Sequence, residues 1–305
     1  MTEDLSLLIT EKANGRTKDL DRLSTLEMVR LINEEDKKVA FAVETQLEAI
    51  AKAIDLVAEA LEKGGHLIYL GAGTSGRLGV LDAVECPPTF GLDPTVIRGL
   101  LAGGEAAMFR SAEDLEDDEE QGARDVREAG VTSGDVLIGI TASGRTPYTL
   151  GGVKEARRLG CKTIALTNNP NSPLAQLVDV VIAPVVGPEV LAGSTRLKAG
   201  TAQKMVLNMI STGVMVKLGK VYSNLMVDVR PTNRKLVERA KRIIEEATGL
   251  ERGRVEALWE AAGRDTKTAI VMALTGSSAS EARAALQRHL GRVRQAVEEL
   301  KGATG

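Results

Sequence analysis

Residues 66–77 read HLIYLGAGTSGR and residues 135–147 read DVLIGITASGRTP. In each stretch a short apolar run ends in a turn rich in glycine and hydroxyls, and Ser-Gly-Arg recurs at 75–77 and 143–145. Continuously apolar runs of this length, closed by glycine, predict strands buried on both faces, as in a parallel sheet. TVIRGLL (95–101), KTIALT (162–167) and DVVIAP (179–184) are further runs of the same kind. Helical stretches near 77–83, 117–129, 147–158, 172–177 and 194–218 alternate with them, which predicts a doubly wound α/β domain over residues 64–230.

Upstream, Ser24-Thr25-Leu26-Glu27 fits a capping box, and a second helical run over about 38–63 stops at Gly64-Gly65. Residues 1–63 are therefore read as a helical lead-in. Beyond Pro231 the strand signals end, and helices are expected over 232–248, 251–262, about 266–274 and 279–300. The expected class is α/β: a doubly wound parallel sheet with N-terminal helices and a small C-terminal helical bundle over 231–305.

The 305 residues are 43% hydrophobic and 27% charged, with a formal net charge of −3, values ordinary for a globular chain. Aromatics are only 2%, and with mild acidity this argues against a nucleic-acid platform, which needs stacking surfaces and basic grooves. No run reaches the ~18 apolar residues of a membrane span, and no basic lead feeds an apolar segment at the N-terminus, so neither membrane nor export is expected. Two cysteines, Cys86 and Cys161, make no disulfide framework and fit a cytoplasmic chain. His66 and His289 lie far apart, with no zinc-ligand spacing around them. Carboxylate-bound magnesium stays open on this count.

The first turn, Gly71-Ala72-Gly73-Thr74-Ser75-Gly76, satisfies G-x-G-x-x-G between a strand and a helix. It lacks the lysine of a P-loop, and the following strand, TVIRG, lacks the acidic residue that a dinucleotide ribose requires. The second copy of the turn points elsewhere. Backbone N–H groups around Gly73, Gly76 and Gly144, hydroxyls of Thr74, Ser75, Ser143 and Thr146, and two helix N-termini together make an anion site for a small phosphorylated ligand. Arg77 and Arg145 are candidate anion partners, although an exposed helix arginine reads the same way.

IYLGAGTSGRLGVLDAVECPPTFG (68–91), GITASGRTPY (139–148), GSTRLKAGTAQKMVLNMISTGVMVKLGKVYSNLMVDV (193–229) and LSTLEMVRLINEED (23–36) resemble the N-acetylmuramic acid 6-phosphate etherase family. The resemblance covers nearly the whole chain. It implies a sugar isomerase (SIS) fold, a ubiquitin-associated-like tail, a cytoplasmic homodimer, and a role in amino-sugar catabolism and cell-wall recycling. The implied reaction removes the D-lactyl ether from C3 of the sugar phosphate, without a cofactor, by C2 proton abstraction, elimination and addition of water. It gives N-acetylglucosamine 6-phosphate and D-lactate.

The resemblance also assigns roles. Glu85, in Glu85-Cys86-Pro87-Pro88, matches the acid that protonates the leaving lactate, and Cys86 beside it is read as structural. The base lies in the acidic run 113–120, where this chain departs from the family pattern: the ungapped register selects Glu116 and a three-residue shift selects Glu113. Glu189, Ser194 and Lys198, at the start of the last long helix of the sheet domain, are further candidates for holding the substrate's phosphate or carboxylate. Two other readings remain. A non-catalytic sugar-phosphate regulator resembling glucokinase regulatory proteins would lack one or both glutamates, and an aldose–ketose isomerase would need no acid at C3.

Overall fold

The computed structural model describes residues 9–110, 113–228 and 233–302. Packing divides the chain into two units, Met1–Val84 with Pro94–Ser211 and Glu85–Asp93 with Thr212–Gly305. In the first, strands β1 (Leu67–Gly71), β2 (Ile97–Leu101), β3 (Val136–Ile140), β4 (Lys162–Leu166) and β5 (Val180–Ile182) form one parallel sheet in the order β2-β1-β3-β4-β5. Each expected apolar run supplies one strand. Every residue of β1 and β3 is buried, which is why neither alternates polar with apolar. The strand order places the switch point of the sheet between these two strands. Gly71 pairs with Ile140, so the two glycine-rich turns leave the sheet side by side.

One face of the sheet packs on α5 (Glu119–Glu128) and α6 (Pro147–Arg158), where Ile68, Leu70 and Leu137 join Val126, Tyr148 and Val153 in one cluster. Helix α3 (Leu47–Glu62) packs against β1, β3 and β5 and buries Ile50, Ala53 and Val57. A buried polar clasp holds α4 (Gly73–Phe90) to α7 (Lys198–Lys217). Tyr69 Oη donates to Asp82 Oδ2 at 2.8 Å, while Asp82 Oδ1 accepts from Asn208 Nδ2 at 2.7 Å and Ser211 Oγ at 3.1 Å. Burying a carboxylate is tolerable here because three donors answer it.

Several boundaries differ from expectation for identifiable reasons. The capping box of Ser24 and Glu27 opens α1 (Thr25–Asp36) as expected. The run 38–63 is two helices, α2 (Lys38–Glu44) and α3, because Gln46 turns out of the helical path and its Oε1 accepts from Ala183 N at 2.9 Å, just beyond β5. Helix α4 starts at Gly73 and runs through Pro87 and Pro88 instead of spanning only 77–83. Proline's φ suits a helix, and its missing N–H costs the donor that a carbonyl one turn back would accept from. Residues 172–177 form only a 3-10 turn, Leu174–Gln176, and α7 opens at Lys198, after 194.

The second unit holds a hairpin, β6 (Val221–Tyr222) and β7 (Leu225–Met226), and helices α8 (Arg234–Thr248), α9 (Arg252–Ala261), α10 (Thr266–Thr275), α11 (Ala279–Arg288) and α12 (Val293–Gly302). Ile244, Val255, Trp259, Ile270 and Val297 share its core. The single helix expected over 279–300 is broken: Leu290 and Gly291 take φ of 53° and 78° and turn the chain between α11 and α12. Val227, Tyr222 and Leu225 pack into this same core. The expected boundaries at 63/64 and 230/231 therefore do not coincide with the packing, which groups the lead-in helices with the sheet and the hairpin with the tail.

Replacing Asp82 by Ala strands three donors and is expected to cost about 2 kcal/mol or more, read as a lowered urea midpoint. Asp82→Asn keeps one acceptor and should cost less.

Candidate active site

A cavity of about 400 Å³ opens where β1 and β3 end. The first turn lines it with Gly73, Thr74 and Ser75, the second with Thr141, Ser143 and Thr146, and the segment before α7 with Gly193–Arg196. Two carboxylates, Glu11 and Glu116, complete the wall. Two turns and one helix start thus converge on one space, the arrangement that the paired Ser-Gly-Arg turns predict.

The hydroxyls are set by short local contacts. Thr141 Oγ1 lies 2.7 Å from Thr146 Oγ1 and 3.3 Å from Ser143 Oγ, and Ser143 Oγ accepts from Arg145 N at 3.2 Å. Gly144 holds this turn at φ 70°, and a Cβ there would fall 2.1 Å from Ser172 Oγ. Ser75 Oγ donates to Gln203 Oε1 at 2.9 Å, and the buried Gln203 is held in turn by Asn168 Oδ1 at 3.3 Å. Gly76 is buried, its N–H donating to Ala72 O at 3.0 Å, so it shapes the turn from behind the cavity wall.

Among the described side chains of the run 113–120, Glu116 lines this space. A Cβ on Gly73 would lie 2.7 Å from Glu116 Oε1, so the carboxylate would have to shift, and the φ of 52° at residue 73 favours glycine. Glu116 is anchored through its carbonyl, which accepts from Tyr148 N at 3.0 Å in the first turn of α6. Tyr148 is fully buried and donates to Asp125 Oδ2 at 2.6 Å; burial, with Asp125 beside it, raises the phenol far above its usual range. The backbone of Glu113 lies in the 3-10 turn Glu113–Leu115, and its side chain falls outside the described residues. Glu85 is exposed on α4, about three turns beyond Gly73, and is not among the cavity's lining residues.

Two expected substrate ligands have other partners. Lys198 Nζ is buried on Glu35 Oε2 at 2.9 Å, both side chains 1% exposed. Burial opposes ionisation of Glu35, yet hydrogen bonds from Lys38, Lys198 and Asn14 outweigh it and hold the carboxyl at about 2. Glu189 is fully buried and its two oxygens accept from Lys198 N and Ala199 N, each at 2.9 Å. Burial pushes its carboxyl up despite those donors. Neither Glu189, Lys198 nor Arg145 lines the cavity, whereas Ser194 does. Arg77 lines it but spends its guanidinium on Ala107 O at 2.8 Å and Arg110 O at 3.0 Å.

Glu11 and Arg196 are cavity residues that the sequence reading passed over. Arg196 sits in GSTRLK between Ser194 and Lys198, and Glu11 lies in a lead-in with no periodic signal. Among the described residues, no group of three or more His, Cys, Asp or Glu side chains is gathered as a metal site, and no helix is long and apolar enough to cross a membrane.

Residues 49–157 match the family model of the glucokinase regulatory protein N-terminal SIS domain, and residues 119–212 match that of the SIS domain. An N-acetylmuramic acid 6-phosphate etherase of Serratia proteamaculans is 56% identical over 294 residues, covering 96% of this chain and 99% of that protein. One of Yersinia pestis is 55% identical over 293 residues, with the same two coverages. A solved phosphoheptose isomerase from Francisella tularensis aligns with a TM-score of 0.50 at 20% identity, over 64% of this chain and 100% of that one. At that identity the likeness speaks for the fold alone.

Glu35→Gln should remove about 3 kcal/mol by leaving the Lys198 ammonium buried without its counter-charge. The carboxyl is held at about 2, against ~4.3 when unfolded. Its stabilisation is therefore complete above that unfolded value and lost as pH falls through about 2. The gap in urea stability between the unmodified protein and the variant should shrink across that window.

Proposed function

Because the chain belongs to the N-acetylmuramic acid 6-phosphate etherase family, we propose that it cleaves the D-lactyl ether of N-acetylmuramic acid 6-phosphate, giving N-acetylglucosamine 6-phosphate and D-lactate. The observation that carries this reading is the Glu116 carboxylate set over Gly73, in a cavity whose other walls are hydroxyl-bearing turns. The phosphate rests against Thr74, Ser75, Ser143 and Thr146, where N-termini of α4 and α6 present their positive ends. Gly73, Gly76, Gly144 and Arg145 give that cradle its backbone shape, and Ser194 closes it from the third side.

With the sugar ring open, the C1 aldehyde acidifies the proton on C2. Glu116 takes that proton, the C3–O bond breaks with its electrons on the lactyl oxygen, and an acid protonates the departing lactate. Water then adds across the C2–C3 double bond, its hydroxyl to C3 and a proton to C2, restoring the sugar. This makes the protein a carbon–oxygen lyase that needs no cofactor. The two roles require two carboxyls with opposite proton occupancy, and Glu85 is the acid by its place in Glu85-Cys86-Pro87-Pro88.

Glu85 acts in the cavity of a second copy, in a homodimer. The support is its exposure together with that of Leu81 and Val84, 48% and 59% exposed on the same helix. The protein works in the cytoplasm, in amino-sugar catabolism and peptidoglycan recycling, consistent with two free cysteines. A non-catalytic sugar-phosphate regulator is the second reading, favoured by the match of residues 49–157 to the glucokinase regulatory protein domain.

Lactate release in ¹⁸O-labelled water is the deciding measurement: label at C3 of the sugar is expected, whereas sugar-phosphate binding without any turnover would favour the regulator. Glu116→Gln should lose both C2 proton exchange and lactate release. Glu85→Gln should keep exchange and lose lactate, and mixing the two inactive variants should recover part of the activity if the site is shared. Gly73→Ala, which displaces Glu116, should lower turnover by on the order of 10²-fold.

A further inference from the structure

We propose that Arg196 recognises the lactyl carboxylate of the substrate, and so sets the preference for sugar phosphates that carry an acid on C3. This rests on the etherase reading above. That substrate brings two anions, a phosphate on C6 and a carboxylate on the C3 ether, and the hydroxyl-bearing turns account for one of them.

The second anion has few cations to meet. Lys198 is committed to Glu35 and lies buried. Arg77 is committed through Nε and Nη2 to two backbone carbonyls. Arg145 is outside the lining. Arg196 lines the cavity, is exposed, and among the described residues has neither ion pair nor hydrogen bond from its side chain. Its guanidinium offers two parallel donors, the geometry that a carboxylate accepts in bidentate fashion.

The backbone beneath it is fixed. Ser194 N donates to Leu191 O at 3.0 Å, Leu197 N to Ser194 O at 3.2 Å, and Gly200 N to Thr195 O at 2.9 Å. Lys198 N and Ala199 N, between them, go to Glu189. An ordered support thus carries an uncommitted fork, so little is lost in positioning it. Glu11 sharpens the requirement: its Oε2 would lie 3.1 Å from a Cβ on Gly193, three residues from Arg196 along the same rim. A carboxylate there repels an incoming carboxylate unless a cation offsets it.

The test compares two sugar phosphates that differ only in the lactyl group. Binding of N-acetylmuramic acid 6-phosphate and N-acetylglucosamine 6-phosphate is measured by calorimetry in a Glu116→Gln background, which blocks turnover, with Arg196, Arg196→Lys and Arg196→Ala. Arg196→Ala should weaken the lactyl sugar by ~10- to 100-fold, as for a lost charge-assisted hydrogen bond. The sugar without lactate should stay within about threefold, and Arg196→Lys should fall between, keeping charge without the fork. Equal loss for both sugars would mean that Arg196 holds phosphate, and no change for either that it is a solvated surface arginine; each overturns the proposal. If protein with Glu116 intact releases no lactate, the etherase reading falls, while the calorimetric comparison still decides what Arg196 binds.

Discussion

The pairing of Gly71 with Ile140, at the carboxyl ends of β1 and β3, is the constraint from which the rest of the site follows. Parallel strands in register end together, so the turn that feeds α4 and the turn that feeds α6 emerge abreast at the switch point of the sheet. A slip of one residue would exchange the faces of the strand that slips. Tyr69 opposes such a slip, because its hydroxyl must point to Asp82 while Leu70 and Ile68 point to the α5–α6 side. The polar clasp on one face and the apolar cluster on the other therefore fix the same register from two directions.

A second tier of contacts carries the rim. The buried Glu35 receives the buried Lys198 and, from the more exposed side, Lys38, Arg16 and Asn14. Asn14 also donates to Pro188 O at 3.3 Å, and Thr17 Oγ1 to Val190 O at 2.8 Å. The stretch bearing Glu11 and the stretch bearing Ser194–Arg196 are thereby tied to one carboxylate. Buried charge is costly unless it is fully answered, and here the cost falls where two rim segments must be held together.

The strands were legible because each is buried on both faces and so appears as an unbroken apolar run, and the paired turns were legible because their sequences repeat. The helix ends were less so. Nothing local in Pro87-Pro88 says that α4 continues through them, and the break at Gln46 comes with a hydrogen bond to its side chain from Ala183 N, far along the chain. The same blindness affects charged residues. Lys198 and Glu189 read as ligands from their place at a helix start, but their partners, Glu35 and the helix's own N–H groups, are fixed by tertiary packing. Glu11 left no trace at all, since a carboxylate in an irregular lead-in becomes meaningful only when Gly193 is brought against it. The choice between Glu116 and Glu113 is one of register; the Glu116 carboxylate lies over Gly73, and the Glu113 side chain is outside the described residues.

The buried Glu189 has a consequence for the ligand field. Helix α7, at 20 residues, is the longest among the described residues, and its amino end starts beside the segment that walls the cavity. An N-terminus of that length is ordinarily an attractive pole for phosphate. By accepting from Lys198 N and Ala199 N, Glu189 supplies the neutralising anion from within the protein. The pole is spent on the fold, and a sugar with a second phosphate would find no vacant helix end there to receive it. That helix end is closed to an added anion by a carboxylate of the chain itself.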